Sequence, residues 1–232
     1  MLILEPKIKL EMPLIWEPLL RLRYKLGFRK YDLLVDVGLS ELSFQKHMKI
    51  LLSRKTNEKE IVEEQKPLIE GIIIDPAHSS PEKLLNELIT YAYELEIVSK
   101  KISGEISEYA KKITMWNKYM RFPDASAKSI IKMLRRKVFD KDGIFMLKGL
   151  LKEGFGISSK TRLDRIKVLE GSGQIIYLPL YVEVLGARVE VFDATFSGKH
   201  LSTPYTSLIN NDIELLKKIV RKIKEKTGSI TF

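Results

Sequence analysis

The sequence predicts an α+β protein in which two mixed units are joined by a long heptad-patterned helical segment. Three observations carry that expectation. Apolar residues from Leu85 to Met120 recur in alternating steps of three and four. Runs rich in β-branched and aromatic residues, "LIEGIIID", "GQIIYLPLYVEVL" and "ARVEVFDAT", flank that segment on both sides. Finally, "GLSELSFQKHMKIL" (38–51) aligns without a gap on "GISSKTRLDRIKVL" (156–169). Glycine, serine, a hydroxyl residue, lysine and leucine coincide at matching positions, which suggests an internal repeat.

Composition narrows the class. A chain of 232 residues that is 44% hydrophobic and 30% charged can bury a real core. No apolar run is long enough to span a bilayer and no secretory leader is visible, so a cytoplasmic protein without membrane contact is expected. Cysteine is absent and the three histidines, His47, His78 and His200, lie far apart. Neither a disulfide framework nor a thiolate or histidine metal site is therefore expected, and no cofactor is. Few glutamines beside many Lys, Glu and Ile residues match the bias of heat-adapted proteins. A net charge of +10 favours a polyanionic partner, since each neutralised phosphate releases counterions.

The elements follow in order. Residues 1–79 form a winged-helix-like or mixed α/β domain, with "PLLRLRYKLGF" and "KYDLLVDVG" read as helices and "LIEGIIID" as a strand closed by Pro76. At "SSPEKLLNELI", Ser80 caps a new helix, Pro81 suits its first position and Glu82 suits the positive end of its dipole. Residues 80–121 are the helical dimerisation segment. Its seam runs Leu85, Leu88, Ala92, Leu95, Ser99, Ile102, Ile106, Tyr109, Ile113, Trp116 and Met120, as one helix or as a hairpin bent at "SG" (103–104). Pro123 ends it. Residues 124–205 form the next domain, with helices up to 170 and then a hairpin of Ile175–Leu185 and Val189–Asp193. Residues 208–227 form a C-terminal basic helix, amphipathic over 213–227, where six Lys or Arg stand against two Glu.

"GFGISSKT" (154–161) has the outline of a phosphate-binding loop. Ser159 replaces the required second glycine, however, and "FMLKGLLKE" before it reads as helix rather than strand, so nucleotide binding is set aside. The same stretch reads better as a turn and a second helix. Glycine makes the turn, Ile157 packs beneath it, Ser158 caps, and Leu163, Ile166 and Leu169 face inward.

"GISSKTRLDRIKVLEGSGQI" thus resembles the core of the winged helix-turn-helix family over residues 128–193, with a weaker second copy around 14–75. Arg162 stands where the family carries an apolar residue. The resemblance implies a recognition helix entering the major groove, with Ser159, Lys160, Arg162, Arg165 and Lys167 outward and Arg188 near the wing tip. Lys46 and Lys49 take the corresponding places in the first copy. Twelve Lys or Arg against five Asp or Glu across 128–170 put the positive excess on this unit.

The function expected from this reading is non-catalytic, sequence-specific binding of double-stranded DNA. The chain would act as a homodimer through residues 81–120, as a transcriptional regulator or as a replication or partition initiator. One alternative is a winged-helix scaffold subunit of a chromosome-organising or transcription complex. A second is a metal-dependent nuclease using Asp36, Asp75 and Asp193, each at the end of an extended run.

Overall fold

The stretch "LRLRYKL" alternates apolar and cationic residues with period two, the pattern of a strand with unlike faces. A computed structural model of the chain describes residues 2–5, 14–42, 53–63, 71–120, 124–133, 143–185, 188–195 and 204–227. In it, this stretch belongs to a 13-residue strand at the centre of a sheet that has nine strands among the described residues.

The strands are β1 (Leu2–Leu4), β2 (Leu14–Leu26), β3 (Arg29–Asp36), β4 (Arg54–Lys55), β5 (Ile61–Glu63), β6 (Gly71–Ile73), β7 (Ile166–Val168), β8 (Ile175–Leu185) and β9 (Arg188–Asp193). The helices are α1 (Leu39–Leu42), α2 (Pro81–Met120), α3 (Asp124–Met133), α4 (Ile144–Gly154), α5 (Pro204–Asn211) and α6 (Ile213–Thr227). The protein is thus α+β, as expected. The chain divides into two compact units, residues 1–83 with 166–232 and residues 84–165. The first unit is discontinuous, so strands from both ends of the chain share one sheet.

The sheet path is β4-β3-β2-β8-β1-β5, with β6 and β7 also on β2 and β9 on β8. β2 changes partners along its length. β6 and then β3 occupy one edge, while β8 from Leu14 to Leu20 and β7 from Tyr24 to Leu26 occupy the other. One sheet face carries Ile15, Leu19, Leu34, Leu178 and Leu180 in a cluster with Ile209 of α5 and Leu215, Ile219 and Ile223 of α6. The other carries Trp16 and Ile3 against Val62, Ile73, Tyr177 and Tyr181.

Two expectations for this unit are corrected. "PLLRLRYKLGF" and "KYDLLVDVG" are the antiparallel strands β2 and β3, not helices. Their apolar residues suit a helical window, but the strict alternation Leu20, Leu22, Tyr24 against Arg21, Arg23, Lys25 suits a strand with unlike faces. The hairpin Ile175–Leu185 with 188–193 does form, but β8 also pairs with β2 and β1, so it belongs to the main sheet instead of standing apart as a wing. The "LIEGIIID" run supplies β6.

In the second unit, α2 is one 40-residue helix, about 60 Å long at the standard rise. Ser80 caps it by accepting from Lys83 N at 3.2 Å, and Gly104 lies within it without interrupting it. The first part of the seam is buried: Leu85, Leu88, Ala92, Leu95, Ser99 and Ile106. Lys148 of α4 donates to Ser99 Oγ at 2.9 Å and pairs with Glu96 at 2.6 Å, so α4 lies along that part of α2. This hydrogen bond holds the Glu96 carboxyl below its usual range. Farther on, Tyr109 and Trp116 are exposed, as are Met115 and Tyr119 beside them.

Candidate nucleic-acid interface

The segment from Ser158 to Leu169 contains no recognition helix. Thr161 Oγ1 accepts from Ser158 N at 2.9 Å, and Thr161 N donates to Ser158 O at 2.9 Å, closing a turn over 158–161. Ser158 Oγ accepts from Lys160 N at 3.3 Å. Serine and threonine side chains here satisfy the backbone locally and compete with a helix start. A single 3-10 turn, Leu163–Arg165, follows, and the chain then extends as β7. Ile166 and Val168 alternate along the open edge of β2, whose free backbone groups give the strand form its ladder bonds. Ile157 is buried as expected, while Leu163, expected inside, is exposed.

The predicted site residues are placed as follows. Ser159 is half-buried in the turn, and Lys160, Arg162 and Arg165 are exposed, with Arg162 Nε 3.6 Å from Asp164. These four belong to the second unit, and Lys167 on β7 belongs to the first. Arg188 opens β9, in register with Leu185. Lys46 and Lys49 lie outside the described residues; of the first copy, α1 and its buried Leu39 are described.

What the fold assembles around Lys167 is a cationic tip on the main sheet. β2 and β3 are joined by the two-residue loop Gly27–Phe28, and β7 lies on the other side of β2. A two-residue hairpin needs a positive φ in its loop, and Gly27 supplies it at 59°. Lys25 pairs in register with Lys30 on one side and Lys167 on the other. Residues directly opposite share a face, so Lys30, Lys25 and Lys167 form a row across three strands, about 10 Å from end to end. Among the described residues, none of the three makes an ion pair. Arg29 and Lys30 are exposed, and Phe28 at the tip is fully exposed.

The arginines on the same face of β2 are placed differently. Arg21 donates to both oxygens of Asp32, at 3.0 and 2.7 Å, and to Glu58 at 2.6 Å. Arg23 sits 3.2 Å from Asp32 and donates to the Glu170 carbonyl at 2.8 Å. Burial works against ionisation of Asp32, but the hydrogen bonds and charges of these arginines outweigh it and hold the carboxyl below its usual range. Arg21 and Arg23 thus brace the base of the ribbon, and uncompensated charge begins at Lys25. Behind the row, Tyr24 and Tyr31 stack at 4.9 Å between centroids and stiffen the hairpin.

No family model, curated protein or solved structure matches this chain.

The three aspartates considered for metal chemistry are not brought together. Asp36 Oδ1 accepts from Gly38 N at 2.9 Å and Ser40 N at 3.0 Å, and Asp193 Oδ1 accepts from Thr195 N and Oγ1 at 2.9 and 2.6 Å. Asp75 is exposed beyond β6. Among the described residues, no group of three His, Cys, Asp or Glu side chains could hold a metal ion, and no helix is long and apolar enough to cross a membrane.

Lys25, Lys30, Arg29 and Phe28 were missed in the sequence. The signal was present in "RYKLGFRKY", where cations alternate with apolar residues around a glycine turn. Reading that stretch as helix scattered residues that a strand aligns.

Proposed function

We propose that this chain is a non-catalytic DNA-binding protein that acts on duplex DNA as a homodimeric transcriptional regulator or as a replication or partition initiator. The observation that carries this reading is the row Lys30–Lys25–Lys167. Like charges directly opposite in a sheet destabilise it by roughly 0.2–1 kcal/mol per pair. Three adjacent lysines with no carboxylate partner among the described residues suit a surface that meets a polyanion. A two-stranded ribbon fits the major groove, with flanking cations on the phosphates. Lys160, Arg162 and Arg165 precede β7 in the chain and are exposed cations of the second unit. α6, with Lys217, Arg221 and Lys224 along it, is proposed as a further phosphate contact.

The test is a titration of labelled duplex DNA at several salt concentrations, comparing the natural chain with Lys25→Ala/Lys30→Ala/Lys167→Ala. The expected result is a steep fall of affinity with salt, whose log–log slope shrinks by roughly 0.9 for each phosphate contact removed. A flat salt response, unchanged in the triple variant, would instead support the scaffold reading. The exposed Tyr109, Met115, Trp116 and Tyr119 on α2 favour that second reading, because they offer a protein partner an apolar surface.

A further inference from the structure

We propose that Phe28 is a base-stacking side chain, and that the DNA preferred at the hairpin tip carries an unstacked base, either single-stranded or within a locally opened duplex. This rests on the DNA-binding reading above and specifies the form of DNA that the site takes.

The residue itself raises the question. In a two-residue hairpin loop the second position usually goes to a small or polar residue such as Gly or Asn. Here it holds a phenyl ring that is fully exposed. The backbone turn does not require it, since Gly27 supplies the positive φ. Among the described residues of this unit, Ile213 on α6 is the other strongly exposed large apolar side chain, so the ring is not one member of a broad apolar patch.

The surroundings select the occupant. Phe28 is followed directly by Arg29 and Lys30 and lies beyond Lys25 on the paired strand. A second copy of the same tip would bring cation to cation, so the aromatic ring is protected from self-association. The partner must combine a flat apolar surface with negative charge close by. A nucleobase on its phosphodiester backbone does so, with the base on the ring and the neighbouring phosphates on the lysine row. In duplex DNA the same ring would act as a wedge at a step where base stacking is already weak. An anionic membrane also joins apolar and negative groups, but a single phenylalanine buries too little area for stable insertion. The straight row across three strands also matches a linear phosphate chain better than a lipid surface.

The experiment is fluorescence anisotropy with the full chain and three DNAs of one length: single-stranded, fully paired, and paired with a central unpaired loop. Wild type, Phe28→Ala, Phe28→Trp and the triple lysine variant are compared, with anionic phospholipid vesicles as a further arm. The expected result is that wild type binds the single-stranded and looped DNAs roughly ten-fold or more tightly than the paired one. Phe28→Ala should lose that preference while keeping its affinity for paired DNA, and Phe28→Trp should retain it. Because the ring is exposed, the thermal midpoint of Phe28→Ala should match wild type. Equal affinity of wild type for all three DNAs would overturn the stacking role and leave the cationic row standing. Failure of wild type to bind any DNA would overturn the DNA reading itself, and unchanged affinity in the triple lysine variant would overturn the lysine row, and with it the tip, as the place where DNA binds. Vesicle binding that depends on Phe28 and exceeds DNA binding would assign the tip to membranes and overturn the proposal.

Discussion

Glu17 sits on β2 within the core, with none of its side chain reaching solvent, and so does Asp36 at the end of β3. Glu17 Oε1 accepts from Leu39 N at 2.7 Å, while Oε2 has no donor. Asp36 lies close by, so a proton on Glu17 allows the two carboxyls to share a hydrogen bond. Burial first, then the charge of Asp36, raises the Glu17 carboxyl well above its usual range; Lys222 of α6 opposes this only weakly. A carboxyl of this kind binds more protons folded than unfolded. Its contribution is therefore complete below the ordinary carboxylate range and is lost as pH rises through the raised value. Stability should fall as pH rises above the ordinary carboxylate range, and Glu17→Gln should flatten that fall, gaining about 1–3 kcal/mol at the alkaline end. Urea midpoints across the range check it, and parallel profiles for the two proteins would refute it. Gly38 belongs to the same arrangement, because a Cβ there would lie 2.6 Å from Glu17 Oε1 and 2.7 Å from the Pro18 ring. Nothing in "LIWEPLL" or "VDVGLS" announces this contact, since residues 21 positions apart become neighbours only once β2 and β3 are paired.

At the scale of elements, β9 pairs only with β8 among the described residues, which makes it an edge strand. Asn210 of α5 closes part of that edge by acting as a neighbouring strand would. Its Oδ1 accepts from Val191 N at 2.7 Å, and its Nδ2 donates to Val191 O at 3.0 Å. Asn210→Ala should cost about 1–3 kcal/mol for the two lost bonds to buried Val191 and leave the edge open to other chains. Lower urea midpoints together with increased light scattering on warming are the expected outcome; unchanged values in both would show that the cap is dispensable. Some elements were legible and others not, for identifiable reasons. The Ser80–Pro81–Glu82 start of α2 rests on local chemistry and formed as read. β2 contains enough apolar residues to fit a short helical window, and its alternation had to decide. The Ser158–Leu169 stretch reads as a capped helix in isolation, and its end becomes β7 because the edge of β2 recruits it.

For the whole molecule, the heptad seam is divided. Its first part is buried, with Ser99 and Glu96 held by Lys148, while Tyr109 and Trp116 farther along α2 face solvent. A homodimer through α2 would therefore use the distal half, where Tyr109 and Trp116 of the seam are exposed. Sedimentation equilibrium should show a dimer for the natural chain and a monomer for Tyr109→Ala/Trp116→Ala, with the helical content unchanged. A natural chain that sediments as a monomer at tens of micromolar would end the homodimer reading and favour a different protein on that surface.

The sequence by itself determined the α+β class, the capped helix start at Ser80–Pro81, the extended runs of β6, β8 and β9, the amphipathic basic pattern of 213–227 and the cationic balance, while it left 81–120 open between one helix and a hairpin. Each of these depends on composition or on neighbours within a few residues. The tertiary structure alone decided that the two ends of the chain share one sheet, that Ile166–Val168 is a strand, and that Lys30, Lys25 and Lys167 stand in one row. A strand becomes part of a surface only through the partners on its edges, and those partners lie far away in the chain, 142 positions for Lys25 and Lys167 and 174 for Leu2 and Ile176.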